Sequence, residues 1–404
     1  MDRRFFLRGL AGAACSVAAA PLLTSVTFAQ GAGLGENRLV VVILRGGMDG
    51  LDVVRPLDLP DFARWRPSLS EGSLPLVGPF ALHPGLSGLS GLWRAGELGF
   101  VHATSTPYRD KRSHFDGQIL LEAGTGMDVE AGASRDGWLN RMLQAVPGLR
   151  ADTAYAIGRE ALPLLAGQGP SRSWTPEVKL TLSAQSQLLL DHIYHEDALF
   201  RDSGAEAMAL SEALSLAQMD APEAPAQDQA AMPGEDRPHP DIDRLVDFAA
   251  LRLRAETRIA AFSLNGWDTH RGQRAALNRP LSRLQRVVLR LRAQAGAEVW
   301  GRTVLIAMTE FGRTVRENGS GGTDHGTGGA MLLAGGALRG GQVLGAWPGL
   351  AEADLYAGRD LMPTSDVRAW AAWAMRGLYG LDRAVLEGAV FPGLDMGARP
   401  ALIL

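Results

Sequence analysis

The sequence predicts an α/β protein with a mostly parallel, doubly wound sheet and helices on both faces. Three observations carry this expectation. Six nearly continuous apolar runs recur along the chain, helix-length patterns separate most of them, and glycine-rich turns bound them. LVVVIL at 39–44 has no polar alternation, as expected of a strand covered on both faces. LGFVHATS (98–105), TAYAIG (153–158), RIAAFSL (258–264), TVLIAM (303–308) and AMLLAG (330–335) read the same way. Helical patterns lie near 113–123, 135–146, 183–200, 241–257, 274–296 and 366–379. Glycine, 49 of 404 residues, is frequent enough for backbone-defined loops to be common.

The N-terminus reads as a targeting segment. Residues 1–29 combine a basic start with a short stretch of small apolar residues, and Arg3 and Arg4 followed by Phe6 and Leu7 resemble a twin-arginine export signal. The stretch is too short for a membrane span, and no later stretch qualifies. Cleavage after Ala29 would remove Cys15, the single cysteine, so a mature chain has no disulfide, thiolate metal site or cysteine nucleophile. It would also move the net charge from −4 to −6. The expectation is a periplasmic or secreted protein that meets the twin-arginine translocase during export and has no stable membrane span. Residues 30–404 read as a single domain, interrupted at 219–241 by a Pro-, Ala- and acid-rich stretch without periodicity, expected to be a mobile insertion.

Charge excludes one function class. Lysine occurs only at Lys111 and Lys179, but the many arginines are interspersed with acids and the net charge is negative, so no nucleic-acid face is expected. No GxSxG elbow, Walker A loop, GxGxxG fingerprint or HExxH helix occurs.

Ligands in open α/β sheets sit beyond the carboxyl ends of the strands. There the chain presents Arg45, Asp49 and Asp52 after the first run, Asn265, Asp268 and His270 after the fourth, and Glu310 and Arg313 after the fifth. The glycine-rich ENGSGGTDHGTGG then presents Asp324 and His325, and Ser113 and His114 stand where a helix begins, with Ser113 as a plausible N-cap. Carboxylates and neutral imidazoles in several loops suit a divalent cation, zinc first, with manganese, magnesium or calcium as alternatives. A serine at a helix N-terminus suits a nucleophile beside an anion, and Arg45 or Arg313 suits a phosphoryl or sulfuryl oxygen. Each residue has a plainer reading. Asp52 and Asp116 serve equally well as helix caps, and Gly321 and Gly322 as turn residues. His83, His102, His192, His195 and His239 are expected to be structural, with His239 solvated.

LRGGMDGLDVVRP, RSHFDGQ, SRDGWLNR, NGWDTH, TEFGRTVRENGSGGTDHGTGG and GGQVLG together resemble the bacterial family called domain of unknown function 1501, over essentially the whole mature chain. That family is similar in fold to the alkaline phosphatase and sulfatase superfamily, which hydrolyses phosphate or sulfate esters with a nucleophile and two metal sites. The resemblance implies Asp49 as a first metal aspartate, Ser113 as nucleophile, Asp268 and His270 as a ligand pair, and His325 as a final histidine. Glu310 falls where the superfamily has an adjacent aspartate–histidine pair, and Phe311 stands in place of that histidine. Asp324–His325 after a loop insertion is one alternative for that pair, and His114 as a ligand is another.

The resulting expectation is an exported, metal-dependent hydrolase acting on a small anionic ester. Asp268, His270 and His325 would bind one metal, and Asp49 with Glu310 a weaker second. The rivals are a non-catalytic binding or assembly protein on a degenerate hydrolase fold, and a serine–histidine–carboxylate esterase using Ser113.

Overall fold

The computed structural model describes residues 33–70, 74–127, 136–176 and 238–404. The export segment, the helical pattern at 183–200 with His192 and His195, and residues 219–237 of the expected insertion lie outside the described residues. The insertion's last residues, Pro240 and Asp241, open the helix Pro240–Leu253, with proline at the first helical position, where its missing N–H costs nothing. The described residues from Glu36 onward form one compact unit.

In chain order the strands are β1 (Arg38–Arg45), β2 (Val54–Arg55), β3 (Leu74–Pro75), β4 (Ala81–Leu82), β5 (Leu98–Ser105) and β6 (Ala154–Ile157), followed by β7 (Arg172–Trp174), β8 (Ile259–Asn265), β9 (Thr303–Met308), β10 (Gly329–Ala334), β11 (Val343–Leu344) and β12 (Ser365–Asp366). All six apolar runs are strands of one sheet, ordered β11-β5-β10-β9-β1-β8-β6-β7, with β12 also pairing β5. β2, β4 and β3 form a small separate antiparallel sheet.

Every residue of β5, β9 and β10 is buried, as is β1 up to Leu44, which explains why these runs lack alternation. Val40, Val42 and Leu44 join Ala260, Phe262 and Leu305 in a core completed by Val246, Phe248, Leu284 and Val288 of the helices Pro240–Leu253 and Asn278–Trp300. These two crossover helices lie side by side, and Arg286–Asp243 (2.7 Å) and Arg290–Asp247 (2.6 Å) pair along their seam. Leu39, Val41 and Ile43, equally buried, point to the opposite face by strand alternation. The helix Val367–Tyr379, which packs on β1 and β9, covers that side. The sheet is therefore wound on both faces.

One strand departs from the parallel expectation. β10 runs antiparallel to both its neighbours, β9 and β5, while the other pairings in the main sheet are parallel. A parallel neighbour needs a crossover of a dozen or more residues, usually helical. Residues 309–328 contain no helix and instead pair on themselves, with Gly312 N–H bonding Thr327 O, Gly326 N–H bonding Gly312 O, and Thr314 N–H bonding Asp324 O. The chain thus leaves and re-enters the sheet at one edge. Asp324 and His325, at the amino end of β10, stand with the carboxyl ends of β1, β8 and β9. Convergence at this edge rests on the reversal of β10, and not on wholly parallel strands.

His83 and His102 are buried and structural. His102 Nδ1 accepts from Ala103 N–H (2.9 Å) and its Nε2 faces Val54 O (2.9 Å), so a second ring proton would displace the Ala103 donor. His83 Nδ1 accepts from Gly85 N–H at 2.9 Å. His239 differs from expectation: its Nε2 meets Ser282 Oγ at 2.9 Å in a half-buried position. Among the described residues no helix is long and apolar enough to cross a membrane.

Burial pushes both His83 and His102 down to about 4. Between pH 6.5 and 4 the unfolded chain therefore binds protons that the folded one refuses, and stability falls as pH drops through that window. Each imidazole contributes on the order of 3 kcal/mol at neutral pH, lost toward pH 4. Urea midpoints measured across this range are expected to fall steadily, with a shallower slope in His102→Asn. A flat wild-type profile would show that the two rings reach water.

Candidate metal centre

At the carboxyl edge, three loops and one helix start meet. Gly46, after β1, has φ 121°, and a Cβ there would stand 2.6 Å from Asp268 N, so only glycine lets this loop lie against the loop after β8. Gly322 is equally constrained, since a Cβ would stand 2.4 Å from His270 C and O. Ser113 caps the helix His114–Ala123, its Oγ accepting from Asp116 N–H at 3.3 Å and its own N–H donating to Tyr108 OH at 2.8 Å. That cap aims His114, the first helical residue, at the edge.

Three imidazole nitrogens gather around Asp268. Its Oδ1 lies 3.0 Å from His270 Nε2, 3.3 Å from His325 Nε2 and 3.4 Å from His114 Nε2, and the Nε2 atoms of His270 and His325 are 2.9 Å apart. The other nitrogen of each ring is already engaged. His114 Nδ1 faces Glu310 Oε1 at 2.8 Å, His270 Nδ1 faces Asp324 Oδ1 at 3.1 Å, and His325 Nδ1 faces the Arg112 carbonyl at 2.9 Å. In the tautomers that donate Nδ1–H to those acceptors, the Nε2 lone pairs face the Asp268 carboxylate oxygen. Phe311 packs against His114 and His325, each ring centroid 5.0 Å away.

A metal cation would relieve this opposition of acceptors, beside the Arg313 guanidinium that already meets Asp268 Oδ1 at 2.6 Å. A metal ion with arms of about 2.0–2.1 Å has ligand–ligand edges of roughly 3.3 Å, close to the 3.3 and 3.4 Å from Asp268 Oδ1 to the Nε2 atoms of His325 and His114, while His270 Nε2, 3.0 Å from the same oxygen, also lies 3.5 Å from Arg313 Nη1. His114, Asp268 and His325 together have metal-holding geometry, and the buried His114 Nε2 has no hydrogen-bond partner. The hydrogen bond to Glu310, against the opposing effect of burial, raises His114 above the ordinary imidazole range, while burial lowers His325. In Asp268, burial acts upward and is more than offset by Arg313, leaving the carboxyl below its usual range. A proton on His114 and a cation between the imidazoles would therefore exclude one another.

The remaining candidates occupy other positions. Glu310 is buried and lies one step behind His114, accepting from Gly46 N–H (2.9 Å) and Gln118 Nε2 (3.1 Å) as well as the imidazole, and its carboxyl is lowered chiefly by His114 against burial. Asp324 is likewise an orienter, of His270, itself held by Asn318 Nδ2 at 3.1 Å. Asp49 is not beside Glu310. It is buried against Arg66 (2.8 Å) and Gln273 (2.7 Å) and caps the helix Gly50–Val53, so its expected role in a second metal site gives way to a structural one. Asp52 is bound the same way, by Arg55 at 2.6 Å and Gln273 at 2.7 Å.

Neither arginine is free for an anion. Arg45 pairs with Glu122 (2.8 Å) and Glu160 (3.2 Å) and donates to Gln118 Oε1 (2.9 Å). Arg313, wholly buried, donates to the carbonyls of Gly47 (2.9 Å), Gly46 (3.3 Å), Trp267 (3.1 Å) and Thr323 (3.2 Å), and to Asp268 Oδ1 (2.6 Å). Sequence reasoning missed Gln118, Asn318 and the Arg112 carbonyl, and read Phe311 only as the residue in place of a histidine. Only Gln118 left a signal, four residues after His114 on the same helical face.

The fold and site define a mixed α/β protein with a metal-competent histidine–aspartate centre at its sheet edge. The chain belongs to the family described as "Protein of unknown function (DUF1501)", whose model matches residues 100–388. None of the curated proteins compared matches it. Among solved structures it is similar to the alkaline phosphatase of the Antarctic bacterium TAB5, with 12% identity over 74% of this chain and 91% of that one and a TM-score of 0.32. Two variants of that enzyme with magnesium bound in a site called M3 align at 12% identity over 74% of this chain and 90% of theirs, with TM-scores of 0.31.

Arg313→Met would strand four carbonyls and leave Asp268 without its cation. Breaking a buried charged network from one side costs about 3–5 kcal/mol. Equilibrium unfolding is expected to show a loss of that size, and a loss below about 1 kcal/mol would mean that the three loops hold one another without the guanidinium.

Proposed function

We propose that the protein is an exported, metal-dependent hydrolase of phosphate or sulfate esters. The observation that supports this reading is the convergence of His114, His270 and His325 Nε2 with Asp268 Oδ1, every second ring nitrogen being tied back to an acceptor. Such pairing of a ligand imidazole with a carboxylate or carbonyl is how proteins orient histidines toward a metal. A divalent ion held there, zinc first by the donor set, would supply Lewis acidity toward an ester oxygen and acidify water.

The chain's own groups do the rest. Glu310, Asp324 and the Arg112 carbonyl fix the rings, and Phe311 packs against two of them. Ser113 is the nucleophile in this reading. Its Oγ already accepts a backbone N–H at a helix N-terminus, an environment that favours the negative charge an attacking alkoxide carries. The same hydrogen bond also supports a second reading, a binding protein in which Ser113 is a helix cap alone. The engagement of Arg45 and Arg313 with other partners favours it too.

Metal analysis of the purified protein separates the two. One equivalent of a divalent ion is expected in the wild type, with His114→Ala, His270→Ala and His325→Ala each losing most of it, and a second substitution adding little to the first. Ser113→Ala is expected to keep the ion and lose hydrolysis of p-nitrophenyl phosphate or sulfate. Metal-free wild type after growth with added zinc would sink the hydrolase reading.

The export part rests on Arg3 and Arg4 with Phe6 and Leu7. Replacing both arginines by lysine is expected to leave the precursor in the cytoplasm, and normal accumulation outside it would count against a twin-arginine route.

A further inference from the structure

The amino edge of the sheet, opposite the metal centre, carries a second feature. Because β10 is reversed, its carboxyl end and the turn after it lie at this edge, a strand length away. A six-residue strand spans about 20 Å. A cavity of about 280 Å³ opens here between that turn, the helix Val367–Tyr379 and the segment 399–403. Arg339, Arg376 and Arg399 line it, together with Trp373 and a wall of Leu402 and Ile403.

The walls are fixed. Arg339 N–H donates to Leu402 O (2.9 Å), Leu404 N–H donates to Ala337 O (3.0 Å), and Trp373 Nε1 donates to Met396 O (2.8 Å). Gly377 lets the segment lie flat on the helix, since a Cβ there would stand 2.5 Å from Ile403 Cγ1. Arg376 is anchored by a bond to Leu381 O at 2.8 Å.

The charge of this cavity runs against that of the protein. Three guanidinium side chains line it and no carboxylate side chain does, in a chain of net charge −4. Elsewhere Arg286, Arg290, Arg368 and Arg383 are each matched to a carboxylate within 3 Å. Arg339 and Arg399 have no such partner among the described residues. Guanidinium groups lining a preformed hollow suit the planar, bidentate recognition of a tetrahedral oxyanion. The volume lies near the lower end for small-ligand pockets, which admits the anion with one small organic group beside Trp373.

We propose that this cavity binds a small organic phosphate or sulfate, independently of the metal centre and of the hydrolase reading. The probes are phenyl phosphate, phenyl sulfate, inorganic phosphate and inorganic sulfate, titrated calorimetrically into the full mature protein at low salt. Binding of the phenyl esters is expected, tighter than that of the inorganic ions, with phosphate against sulfate deciding the head group. Arg339 and Arg399 are exposed, so the double variant R339A/R399A should fold, and it is expected to weaken binding at least tenfold. His325→Ala should leave binding at this cavity intact, which separates it from capture at the metal centre. Unchanged binding in R339A/R399A overturns the proposal. So does loss of all binding in His325→Ala, or the absence of binding by any of the four probes.

Discussion

The candidate centre depends on one buried guanidinium. Arg313 reaches from the 309–328 excursion into the carbonyls of Gly46 and Gly47 after β1 and of Trp267 after β8, returns to Thr323 in its own loop, and ends on Asp268. Loops at a sheet edge have no ladder to hold them, and their carbonyls must find donors. A single planar fork with five N–H groups meets that need for three loops at once. Lysine, with a single ammonium and three donors, could not reach the same set. The positions of the ligand side chains follow from this clamp, together with the glycines that let the loops approach.

A second layer keeps the acceptors pointed inward. Glu310 is both anchored and anchoring. It takes Gly46 N–H and Gln118 on one side and presents itself to His114 on the other, while Gln118 passes contact on to Arg45 and its two carboxylates. A buried carboxylate with this many donors stays ionised despite burial. Its hydrogen bond, and then its charge, account for the raised proton affinity of His114.

Much of the fold was legible because both faces of the sheet are covered, which turns each strand into an unbroken apolar run. The direction of β10 was legible in principle, since only a glycine-rich stretch without helical pattern separates TVLIAM from AMLLAG. The loops of the candidate centre could be read from strand ends. What could not be read was side-chain direction. Glu310 and Asp324 are the right residue types at the right edge, yet each faces the back of an imidazole. Arg45, Arg313 and Asp49 look like site residues in a sequence because nothing there reveals that buried partners already use them. Gly322 reads only as a turn residue in the sequence, and Gly46 carries no signal there, although both are points of close approach.

The order of the strands also bears on how the chain comes to be folded. β1 lies at the centre of the sheet and is made early, but it pairs with β8 and β9, Leu39 meeting Ile259 and Arg38 meeting Thr303. Both partners lie more than 200 residues downstream. By contrast β9 and β10 are joined by a short, self-paired excursion and can associate locally. Long-range parallel pairing carries a loop-closure cost and slows folding. A ribosome moving at roughly 5–20 residues per second would leave the apolar run of β1 unpaired for at least ten seconds or so. During synthesis, β1 is therefore a segment in need of protection from aggregation.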